Sequence, residues 1–182
     1  MNTVEDCIEF LRTVMNSYHI GECDYARHSD LVIQHIENHS FTYLGGGHFS
    51  LVFSHPVLGD DKVFKINLKK DSSYSAWMDY CQEMDHPMLP KVYGRRKFDD
   101  KELFILPRYE RLRDDDWNQY KAIAIGMGYS SSNSIEANRE AQKLFKDFEA
   151  RMRHLQWCTD VSSDNVMRDP NTGHLVITDP IA

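Results

Sequence analysis

Four groups of polar residues have types and spacings suited to phosphate chemistry. The first is Leu44-Gly45-Gly46-Gly47-His48-Phe49-Ser50-Leu51-Val52, a glycine cluster between two short apolar runs. Glycine lets backbone N–H groups approach a phosphate without side-chain obstruction; the same residues also suit a plain hairpin turn. No Gly-Lys-Ser or Gly-Lys-Thr follows, so the segment is not a P-loop. The second is Lys65, a charge inside the apolar run Val63-Phe64-Lys65-Ile66. On a packed sheet face such a lysine needs a carboxylate or a ligand phosphate, whereas on a solvated face it needs neither. The third is Asp160-Val161-Ser162-Ser163-Asp164-Asn165. A carboxylate there can accept a hydroxyl proton and the amide oxygen can ligate magnesium; the alternative is an Asx-rich turn. The fourth is Asp179, which can complete a magnesium site with Asn165 and otherwise is a surface acid.

Hydrophobic periodicity predicts the elements that carry these residues. Val4, Cys7, Ile8, Leu11, Val14, Met15 and Tyr18 draw one stripe down a helix that Gly21 ends. Ser29 caps a second helix through Leu31, Val32, Ile33 and Ile36. Strands are expected over 41–44, 49–53 and 62–68, near 91–93 and over 102–106, with one helix over 74–84 between them. After Pro107 the strands stop. A helix over 117–127 is followed by a loop, Gly128 to Ser134, and then by a helix capped by Asn133 or Ser134. Glu136 falls in its first turn, and Ala141, Leu144, Phe145, Phe148, Met152 and Leu155 form its buried stripe. A loop over 158–165 leads to Val166 and Met167, and the turn Asp169-Pro170-Asn171-Thr172-Gly173 joins these to 174–178 as a hairpin.

The chain has 182 residues, 41% hydrophobic and 12% aromatic, enough for one real core, which excludes disordered and low-complexity classes. A net charge of −7 argues against broad attraction to nucleic acid or anionic lipid. No window reaches the roughly 18 to 20 apolar residues of a membrane span, and the acidic start lacks the basic residues of a secretory signal. A soluble cytoplasmic protein is expected. Cys7, Cys23, Cys81 and Cys158 show no C-x-x-C spacing, which fits a reducing compartment without a disulfide framework or zinc knuckle. His35 and His39 share a helix face but lack a third ligand, which favours a solvated helix end over a metal site.

Together, the glycine loop, strand lysine, Asp-x-x-x-x-Asn and an Asp fourteen residues past the Asn resemble a protein-kinase active site in order and spacing. His86-Pro87-Met88-Leu89-Pro90-Lys91-Val92-Tyr93 resembles the kinase segment after helix C, and Phe104 to Glu110 resembles the fifth strand running into the hinge. Leu44-Gly45-Gly46-Gly47-His48-Phe49-Ser50, then Ser54-His55-Pro56-Val57-Leu58, then Ile177-Thr178-Asp179-Pro180, narrow the likeness. They resemble the early serine/threonine protein kinase of short-tailed phages related to coliphage T-seven, whose magnesium motif ends in Asp-Pro.

The resemblance implies an α+β, minimal kinase-like two-lobe fold. Helices would extend it over residues 1–40, a small antiparallel sheet with one helix would form the N-lobe over 41–107, and a reduced, mainly helical C-lobe would span 108–182. It implies that Gly45, Gly46, Gly47, Ser50 and Val52 cover ATP, that Lys65 holds its α and β phosphates, and that Arg108 and Tyr109 lie at the hinge. Asp160 would position the acceptor hydroxyl, Asn165 and Asp179 would hold Mg2+, and Asp79 or Glu83 would pair with Lys65. Cys158-Thr159 stands where kinases usually have His-Arg, so no activation-loop phosphorylation switch is expected, and Ser162 stands where many have a γ-phosphate lysine. The implied partners are host cytoplasmic proteins of transcription, RNA processing or translation, in the bacterial cytoplasm, with no direct nucleic-acid or membrane contact. The other readings are a kinase-like protein that binds and inhibits a host factor, and a small-molecule phosphotransferase. Asp179 lies three residues from the end, so the chain is either a minimal kinase or a truncated one. The surface left by the missing helices would favour a homodimer.

Overall fold

The computed structural model describes residues 1–18, 25–47, 50–129, 135–152 and 158–180. The protein is α+β, with a five-stranded antiparallel sheet, a two-stranded hairpin and five α-helices among the described residues. It divides into two compact units, Met1–Asp71 with Val92–Arg108, and Ser72–Lys91 with Tyr109–Ala182.

The first unit begins with α1 (Val4–Ser17). Thr3 and Asp6 close a capping box: Thr3 Oγ1 accepts from the Asp6 N–H, and Asp6 Oδ2 accepts from the Thr3 N–H, both at 3.1 Å. α1 ends at Ser17, before the expected stop at Gly21, which lies outside the described residues. α2 (Tyr25–Glu37) starts upstream of Ser29, so that serine lies inside the helix and does not cap it. The sheet follows: β1 (Thr42–Gly46), β2 (Ser50–Ser54), β3 (Lys62–Asn67), β4 (Gly94–Phe98) and β5 (Lys101–Pro107), in the order β1-β2-β3-β5-β4.

Alternation places Phe64 and Ile66 on one sheet face, where they join Leu51, Phe53, Leu103 and Ile105 in a core shared with Cys7, Ile8, Leu11, Val14 and Met15 of α1 and Val32 and Ile36 of α2. The N-terminal helices are thus part of the unit's core. β4 corrects the strand expected near 91–93. It is an edge strand whose Arg95-Arg96-Lys97 protects its open side and hides it from an apolar-alternation reading.

Two buried polar groups hold α1 to this unit. Lys101, 8% exposed, donates from Nζ to Met15 O and to Tyr18 O, the latter at 3.3 Å, so a cation meets the carbonyl end of the helix. His55 Nδ1 accepts from Val57 N–H at 3.2 Å and lies 3.6 Å from Cys7 Sγ, so the neutral ring carries its proton on Nε2, which is buried with no hydrogen-bond partner. Burial, with a smaller contribution from the N-terminal ammonium, lowers the His55 pKa.

The second unit contains α3 (Ser72–Glu83), α4 (Trp117–Gly126), α5 (Arg139–Arg151), β6 (Val166–Arg168) and β7 (Leu175–Ile177). Trp77 and Tyr80 of α3 meet Phe148 of α5, with ring centroids 5.2 and 5.4 Å apart, and Tyr80 donates to Leu144 O at 3.2 Å. α5 starts five or more residues later than the expected Asn133 or Ser134 cap, both outside the described residues. Asn138 caps it: its Oδ1 accepts from Glu140 N–H and Ala141 N–H, each at 3.0 Å, and Glu136 precedes the helix. Ala141, Leu144, Phe145 and Phe148 are buried as the stripe predicts, whereas Met152 is half-buried just past the helix end and Leu155 lies outside the described residues.

Replacing Lys101 with Met should cost about 1–3 kcal/mol by stranding the buried Met15 carbonyl and the partly buried Tyr18 carbonyl, read from urea unfolding. Acid should also weaken this unit through His55. Its folded pKa lies below the unfolded value of about 6.5, so as pH falls the unfolded chain takes the proton first and stability drops, by at most ~1.4 kcal/mol per pH unit. His55→Gln should flatten that part of the pH profile; an identical slope in both proteins would refute the assignment.

Candidate functional site

In the second unit, the loop between α5 and β6 and the strand end after β7 bring Asp160, Asn165 and Asp179 together. The Asn165 side chain turns back on its own loop: Nδ2 donates to Asp160 O at 2.8 Å and to Asp160 Oδ2 at 3.0 Å. An amide oxygen facing those two acceptors would be repelled, so the network fixes the amide orientation. Both amide hydrogens are used, and Oδ1 remains an acceptor.

The backbone closes the same site from the other side. Asn165 O accepts from Thr178 N–H at 2.8 Å, Thr178 Oγ1–H at 3.0 Å and Asp179 N–H at 3.4 Å. Asp160 N–H donates to Pro180 O at 2.7 Å, and Asn165 N–H to Ser162 O at 3.0 Å. Asp160 and Asn165 are therefore bound to the residues on either side of Asp179. Val161 is fully buried beneath the loop, and its carbonyl accepts from Tyr120 Oη–H at 3.0 Å. Burial raises the Tyr120 pKa, with further contributions from Tyr129, Asp160 and Asp164. Neither Tyr120 nor Thr178 was expected from the sequence. Thr178 sits inside the run Ile177 to Pro180, but Tyr120 stands 41 residues from its acceptor with no local signal.

Asn165 Oδ1 and the Asp179 carboxylate are hard oxygen donors suited to Mg2+, which protein sites commonly hold through one or two carboxylates together with substrate phosphates. Among the described residues no group of three or more His, Cys, Asp and Glu side chains is placed to hold a metal ion alone. His35 and His39 pack with Phe10, and His39 Nδ1 lies 3.1 Å from His35 O; His39 is exposed, whereas His35 is half-buried with Nδ1 3.2 Å from Tyr18 Oη.

The first unit carries the glycine cluster, Ser50, Val52, Lys65 and Arg108. Gly45, at φ +153°, sits where the β1–β2 register shifts, and a Cβ on Gly46 would lie 2.5 Å from Ser50 O. Gly47 N–H donates to that oxygen at 2.9 Å, closing the hairpin; His48 and Phe49 lie outside the described residues. Lys65 stands on β3 between Val52 of β2 and Phe104 of β5, and Ser50 pairs with Asn67 one step along the same face. Lys65 is half-buried. Arg108 is exposed and donates its N–H to Asp61 O at 2.8 Å. In the second unit, Tyr109 Oη accepts from Lys91 N–H at 3.3 Å, Asp79 is on the exposed side of α3, and Glu83 pairs with Arg151 at 2.9 Å.

A family model described as Bacteriophage T7 protein kinase 0.7 matches residues 12–182, nearly the whole chain. The protein belongs to that family, a family of phage kinases. No curated protein matches it. Among the described residues no helix is long and apolar enough to cross a membrane.

Tyr120→Phe should remove the support under the Asp160 loop at a cost of about 1 kcal/mol. Amide hydrogen exchange should then quicken at Asn165 and Thr178 by roughly fivefold, with the α3 and α5 amides unchanged.

Proposed function

We propose that the protein is a serine/threonine protein kinase that transfers the γ-phosphoryl group of ATP to bacterial host proteins in the infected cytoplasm. The observation that carries this reading is the closed assembly of Asp160, Asn165 and Asp179, in a chain whose family is one of phage kinases. Asp160 orients the acceptor hydroxyl and receives its proton. Asn165 Oδ1 and Asp179 hold Mg2+, which neutralises charge on the nucleotide phosphates when bound. The β1–β2 glycine hairpin, with Ser50 and Val52, covers the phosphates and the base, and Arg108 and Tyr109 flank the adenine.

Lys65 holds the α and β phosphates. Asp79 or Glu83 of α3 is the carboxylate that would serve Lys65. Serine at position 162 supplies no charge for the γ-phosphate, so the cation and Lys65 carry most of the neutralisation. The work of such a site is positioning and electrostatics, with no covalent enzyme intermediate.

Purified protein should move label from γ-labelled ATP to itself or to proteins of a bacterial extract, and chelating magnesium should stop it. Asp160→Asn and Lys65→Met should each lower the rate by about 10²- to 10⁴-fold with the fold intact by circular dichroism. Undiminished transfer in both variants would refute the reading, and label moving to small alcohols in preference to protein would reassign the substrate class.

A further inference from the structure

The two candidate metal ligands leave from the two ends of one hairpin: Asn165 immediately precedes β6, and Asp179 follows β7 by two residues. Their separation therefore depends on how that hairpin is held. Its base is closed by the Thr178 bonds to Asn165 O. Its other end is anchored elsewhere, through Arg168.

Arg168 Nη1 donates to Asp116 Oδ1 at 2.6 Å, and the Asp116 side chain is only 5% exposed. Asp116 Oδ2 accepts from Arg113 N–H at 2.8 Å, so both carboxylate oxygens are occupied. The Arg168 backbone exchanges two hydrogen bonds of 2.8 Å with Glu110, an isolated antiparallel bridge. The guanidinium also lies against the hairpin turn: a Cβ on Gly173, which has φ +75°, would fall 3.0 Å from Arg168 Nη2. One side chain thus joins the hairpin strand, the hairpin turn and the segment that starts α4. α4 in turn carries Tyr120, which supports Val161 in the Asp160 loop.

We infer that Arg168 and Asp116 are positioning residues for the metal site, a clamp that sets the hairpin so that Asn165 and Asp179 present their oxygens to one cation. Neither side chain is itself placed as a ligand. The pair is poorly explained as stabilisation alone, because partly buried ion pairs gain little over apolar contacts of the same volume. It specifies one position for the hairpin.

This rests on the kinase reading, and the test separates the two. Mn2+ binding is followed by water-proton relaxation, with a non-transferable ATP analogue present, for the full chain and for Arg168→Met, Asp116→Asn and Arg168→Lys. Measurements are made well below each variant's melting temperature. Arg168→Met and Asp116→Asn should weaken Mn2+ by about tenfold or more, as loss of an outer-shell partner typically does, and Arg168→Lys should recover part of it. An unchanged Mn2+ affinity in Asp116→Asn, or in a folded Arg168→Met, overturns the clamp and leaves the kinase reading standing. A wild-type chain that holds no Mn2+ with the nucleotide overturns both. Equal loss of affinity in Arg168→Lys and Arg168→Met, in step with their melting temperatures, marks the pair as structural only and likewise overturns the clamp.

Discussion

Asn165 can give both amide hydrogens to Asp160 only if the five-residue step between them folds into a closed loop, and the rest of the site follows from that closure. A carbonyl and a carboxylate oxygen on one residue face the same amide, so neither Asp160 nor Asn165 can rotate without breaking a bond to the other. The Asn165 carbonyl then serves as the acceptor for Thr178 and Asp179. A single residue therefore fixes the loop, the amide orientation and the place where the last strand must end. Partly buried polar networks of this kind are most favourable when their members are satisfied together, which makes the arrangement cooperative.

The first unit solves a different problem. On the proposed reading, a lysine on a central strand must hold its place while a glycine hairpin in the same sheet stays open enough for backbone groups to reach a ligand. Lys65 is supported by strands on both sides, with Val52 and Phe104 as direct neighbours. The hairpin is narrowed by Gly47 N–H to Ser50 O and admits no side chain at Gly46. Stiffness comes from the opposite sheet face, where α1 and α2 cover Phe64, Ile66, Leu103 and Ile105, and Lys101 ties the helix end to the β4–β5 hairpin.

Much of this was legible wherever local pattern decides structure. The stripes of α1 and α5, the alternation of β3 and the turn of the last hairpin are set by residues within a few positions of one another. The order of glycine loop, lysine, Asp-x-x-x-x-Asn and Asp pointed to the right family although each motif alone suits a simple turn. Legibility failed where a signal was duplicated or distant. The cap is expected at Asn133 or Ser134, and only the bonds from Glu140 and Ala141 reveal that Asn138 takes it. β4 carries the charges that an edge requires in place of an apolar alternation. Asp116 and Arg168 lie 52 residues apart, and no period in the sequence relates them.

On the proposed reading, the charge of the site has a consequence for how it would be filled. Asn165 brings a neutral oxygen and Asp179 one carboxylate, while the Asp160 carboxylate already accepts a hydrogen bond from Asn165. Such a donor set is too sparse to strip water from Mg2+ by itself, because that ion dehydrates reluctantly and is usually shared with substrate phosphates. Nucleotide and cation would then complete each other's coordination, and each would bind more tightly in the other's presence, as linkage requires. A site so built rewards fixed geometry more than added charge, since the protein controls where its two oxygens stand and the phosphates supply the rest.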